Sequence, residues 1–145
     1  MPSSETDTLL DAIVSVLTSR AGAGADAAAV AAAAHRAYDD LATVLVPLIS
    51  QVGVDALLAR ALHMARRDYP SDHAAEEEQA TEPFAQVSLW LEQLDPIIAT
   101  EAAAGMFATF AELLTTSIGE PLTTRYLQKA WPDGFWETRA EGTPA

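Results

Sequence analysis

The stretch "VAAAAHRAYDDLATVLVPLISQVG", residues 30–53, decides the fold class. Val30, Ala34, Ala37, Tyr38, Leu41, Val44 and Leu45 recur at i, i+4, i+7, i+8, i+11, i+14 and i+15. That spacing gathers them on one face of an α-helix, while a strand would need period two. Pro47 lacks an amide hydrogen and its ring crowds the preceding turn, so the helix is expected to end or kink there. "LISQVG" reads as a short helical remnant that closes on Gly53.

The same period continues outward. Leu10, Ile13, Val14 and Leu17 predict a first helix over 8–20, with Asp7 as its N-cap and "AGAG" at 21–24 as its end. Beyond Gly53, Leu58, Ala61, Leu62, Ala65 and Tyr69 give a third helix over 55–68. Val87, Trp90, Leu91 and Leu94 give a fourth over 84–94. Asp95 and Pro96 are an N-cap followed by a proline at the first helical position, so a fifth helix starts there. Met106, Phe107, Phe110, Leu113, Leu114 and Ile118 supply its apolar arc, and Gly119 is placed to end it. Pro121 opens a sixth helix that runs to Trp131. No alternating apolar run appears, and the expected fold is an all-α, single-domain bundle of about six helices. Residues 70–83, with Glu76, Glu77 and Glu78, read as an acidic, mobile loop, and 132–145 as an irregular tail.

The bulk composition narrows the function. A chain of 145 residues that is 50% apolar can bury a core without staples. It has no cysteine, which removes disulfides, thiol catalysis and cysteine-based zinc sites. The net charge of −13 repels phosphate backbones and anionic lipid. The first residues, "MPSSETDTLLD", carry acid where a signal peptide would carry base. No run of 18 uncharged apolar residues occurs, so a membrane span is not expected and a cytoplasmic protein is.

Candidate chemistry is sparse. Arg60, His63, Arg66 and Arg67 share the outer side of the third helix, behind a turn glycine in "SQVGVDALLAR". That outline admits a helix-turn-helix DNA-binding protein. These four residues face 21 acidic ones, which disfavours nucleic acid and favours a solvated or docking face. His35 and Asp39 stand at i, i+4, a spacing at which an Asp–His pair forms. A phosphoacceptor role for His35 or His63 lacks the usual following lysine and glycine in "AHRAYDD" and "LHMARRD". "DYPSDH" offers Asp68, Asp72 and His73 but no helical ligand pattern, so no metal or other cofactor is expected. No nucleophile elbow, phosphate loop or dinucleotide fingerprint is present, and the chain does not read as an enzyme.

The best-supported class is a non-catalytic interaction or regulatory module, with a protein partner or its own copy. Its surface would be Arg60, His63, Arg66 and Arg67 together with the aromatic segment of Trp131, Phe135 and Trp136. The alternative is a small-ligand sensor or phosphotransfer-like bundle, with a pocket among Tyr38, Met64, Trp90, Phe107 and Phe110.

Overall fold

The computed structural model describes residues 2–70 and 83–132. Over that range the chain is all-α, with five helices: α1 (Pro2–Ala21), α2 (Ala27–Asp68), α3 (Pro83–Glu92), α4 (Pro96–Ile118) and α5 (Glu120–Ala130). The expected acidic loop, apart from Pro70 and Pro83, and the expected tail beyond Pro132 lie outside the described residues.

Helix ends follow local chemistry. Asp26 caps α2, its carboxylate accepting from the Ala29 amide at 2.9 Å. Asp95 caps α4 from the Ile97 amide at 3.2 Å, with Pro96 in the first turn. Gly119, at φ 92° and ψ 157°, turns α4 into α5 in one residue. The first helix starts earlier than its apolar stripe suggests, so Asp7 lies within it.

The expected count of six falls to five because α2 continues past Pro47 and Gly53 for 42 residues. Proline forfeits one hydrogen bond, but Thr43 and Pro47 are both exposed, and water can satisfy the freed carbonyl. The chain turns instead at Ser50, whose φ of 74° and ψ of 164° are the one non-helical pair inside α2. The helix is therefore two limbs, 27–49 and 51–68, meeting at a single-residue corner.

α2 and α4 each pack against every other helix and form the frame of the bundle. One core draws on all five helices. Ile13, Val16 and Leu17 enter from α1, Leu41, Leu45 and Leu58 from α2, Val87 and Trp90 from α3, Met106, Phe107 and Phe110 from α4, and Leu127 from α5. Between these large side chains lie Ala34, Ala102 and Ala103, all fully buried, which let helix axes approach closely. Trp131, just past α5, is 1% exposed. Its indole donates to the Ala37 carbonyl at 3.0 Å and meets Phe107 edge-on at 5.5 Å.

Candidate functional site: the corner and outer face of α2

The second limb of α2 is held at both ends. Near its start, Asp55 Oδ1 accepts from the Tyr38 hydroxyl at 3.0 Å and from Gln51 Nε2 at 2.9 Å. At its end, the Trp90 indole donates to the Tyr69 carbonyl at 2.8 Å. Burial, then the hydrogen bond to Asp55, then the charges of Asp55 and Asp39 push the Tyr38 hydroxyl pKa well above the usual tyrosine range. Tyr38 thus stays neutral and keeps donating across the bend.

The corner has its own cap. Ser50 Oγ accepts from the Gly53 amide at 3.2 Å, which starts the second limb as an N-cap would. The cost is a backbone conformation that L-residues rarely adopt. Gly53 is tight as well: a Cβ there would stand 3.3 Å from Ile49 Cβ, across the corner.

This bend leaves an apolar stretch outside. In the most apolar window of α2, 41–58, only Leu41, Leu45, Val54 and Leu58 are buried. The buried share is 22%, against 56% for the comparable window of α4. Val52 is 79% exposed and Leu48 is 43% exposed. By length and composition both helices could cross a membrane, although Asp55 interrupts the first window. Past Val52 the outer face of the second limb carries Ala56, Ala59, Arg60, His63, Met64 and Arg67, all exposed, with Arg66 half-buried beside them.

The basic cluster read from the sequence therefore lies together on one helix face. The aromatic part of the expected surface does not join it. Trp131 is a core residue, because its hydrogen bond to Ala37 and its contact with Phe107 need it inside. Phe135 and Trp136 lie outside the described residues. Of the expected pocket, Trp90, Phe107 and Phe110 are packed in the core and Tyr38 lies at its edge, while Met64 stands outside at 41% exposure. Met64 thus stands apart from the other four, which are buried.

The Asp–His pair forms on the surface, His35 Nε2 lying 3.7 Å from Asp39 Oδ1. The imidazole stacks on Phe84 at 4.8 Å, and Phe84 in turn stacks on Tyr38 at 5.2 Å. Aromatic packing thus fixes the ring against α3. No cluster of three or more His, Asp or Glu able to hold a metal occurs among the described residues.

Sequence reasoning does not single out Leu48, Ser50 and Val52. The apolar run 44–49 is their one signal, and in a helical reading it looks like core. Only the bend turns it outward.

No protein-family model, curated protein or solved structure matches this chain.

Proposed function

We propose that the chain is a non-catalytic protein-interaction module that docks through the Ser50 corner and the outer face of α2. The observation that carries this reading is the exposure of the most apolar window of α2, with Val52 and Leu48 standing in solvent. Small folded domains place such stretches inside unless a partner covers them. Arg60 and Arg67, with His63 between them, continue the same face and give it a polar rim opposite in sign to the chain's net charge of −13.

A photo-crosslinking residue at position 52, introduced into the full chain in its native cell, tests the reading. Covalent protein adducts are expected at 52 and not at Glu112, an exposed position on α4. Adducts at neither position, or equally at both, would remove α2 as a specific docking face.

A further inference from the structure

The residues around the corner carry a pattern that the bent helix does not use. Leu41, Leu45, Leu48, Val52, Asp55, Ala59 and Leu62 follow each other at steps of 4, 3, 4, 3, 4 and 3. That is an unbroken heptad seam, interrupted in polarity at Asp55 alone, and it runs through Ser50 without a change of phase. In the folded chain the seam is cut. Leu41, Leu45 and Leu62 face the chain's own core, while Leu48 and Val52, at its centre, face solvent.

The corner itself is held against local preference. Ser50 sits at φ 74° and ψ 164°, a region that glycine tolerates and other residues enter only under strain. Gly53 leaves the space that Ile49 needs in the bend. In a continuous helix, Cβ atoms four residues apart stand about 5–6 Å from each other, so the crowding at Gly53 belongs to the bent form alone.

We propose that the occupant of this face is a second copy of the chain, and that the two copies meet by exchange. α2 straightens at Ser50 into one helix. Each chain's α1 and first limb then pack on the second limb and α3–α5 of the other chain. The inference rests on the docking reading above and names its partner.

Exchange keeps what holds the single chain together. Tyr38 still meets Asp55, Phe84 still stacks on His35 and Tyr38, and Trp131 still reaches Ala37, each now between chains. A short hinge under strain is the ordinary route to such swapping. What is new in the dimer is the contact of the two straightened helices, antiparallel about Ser50, and this buries Leu48 and Val52. The charge pattern suits it. Residues 44–54 carry no ionisable side chain in a chain of net charge −13, so like-charged copies approach there with least repulsion.

Sedimentation velocity on the full chain over a wide concentration range tests the inference, before and after refolding from urea at high concentration. Refolding ensures that slow exchange has had its chance. A dimer is expected. Ser50→Gly relieves the corner and should weaken the dimer by at least about tenfold. Gly53→Ala, three residues on, crowds the corner and favours helix, so it should strengthen the dimer. Val52→Glu should leave a monomer of unchanged far-ultraviolet dichroism. A chain that remains monomeric after refolding overturns the inference. A dimer lost in Val52→Glu but indifferent to both glycine changes also overturns it, and shows rigid docking on the same face. Crosslinked adducts at position 52 to a different protein leave the docking reading standing and remove the second copy.

Discussion

Two corners in this molecule have nearly the same backbone geometry and opposite dress. Ser50 turns α2 at φ 74°, ψ 164°, and Gly119 turns α4 into α5 at φ 92°, ψ 157°. Gly119 adopts its angles at no steric cost, whereas Ser50 bears a strain of about 1–3 kcal/mol and recovers part of it by capping the Gly53 amide. The surroundings differ in the same direction. Thr116, Ser117 and Glu120 flank Gly119 as exposed polar residues, with Ile118 half-buried and Leu122 39% exposed beside them. Val46, Leu48, Ile49 and Val52 flank Ser50. One corner is flanked mostly by polar side chains, and the other leaves Leu48 and Val52 in solvent. Similar backbone geometry therefore comes with different surroundings, and the side chains around each bend set how much apolar surface it leaves in water.

The comparison can be broken at the contacts that hold each corner. The largest effect is expected from Trp131→Ala, which empties a core site and frees the Ala37 carbonyl that binds α5 to α2. Stability should fall by about 3–5 kcal/mol in urea denaturation. Gly119→Ala comes next. Its Cβ meets nothing closer than Pro121 Cδ at 3.9 Å, so the cost is conformational, about 1–3 kcal/mol. A loss near zero in the same assay would mean that the α4–α5 corner relaxes freely, and the contrast with Ser50 would dissolve.

The smallest effect is expected at the bond that closes the Ser50 corner. Tyr38→Phe removes the hydroxyl that donates to Asp55, while Gln51 continues to satisfy that carboxylate. The loss should be about 1 kcal/mol. Its pH signature is more telling. The folded-state pKa of Tyr38 is raised, so folding favours the neutral hydroxyl. That stabilisation is complete below the unfolded value of about 10 and is lost as pH rises through the higher folded value. Stability measured from pH 8 upward should fall above about pH 10 in the parent, and more gently in Tyr38→Phe. Equal slopes would mean that Tyr38 does not bridge the limbs.

Much of the fold was legible in the residues. The stripes of 30–45, 58–69 and 106–118 are buried or packed against the core where their period places them, and the caps at Asp95 and Gly119 fall on helix ends. These are local properties: spacing selects the face, and a side chain two or three residues away satisfies the free amides. The basic face of Arg60, His63 and Arg67 was legible for the same reason. Trp131 was not, because its partners, Ala37 and Phe107, lie far off in sequence.

What the sequence by itself determined is the set of helices, their phases and most of their ends, since all of these depend on neighbours within about one turn. Where α2 bends was decided by tertiary structure. Pro47 and Gly53 are the local candidates, and either could serve. The turn falls at Ser50, between them, because that direction lets Tyr38 reach Asp55 and Trp90 reach Tyr69. Those contacts join residues 17 and 21 apart in the chain. A helical pattern that runs evenly through the corner contains no record of them. The exposure of Leu48 and Val52 follows from that turn alone, and so does the surface on which the function proposed for this chain rests.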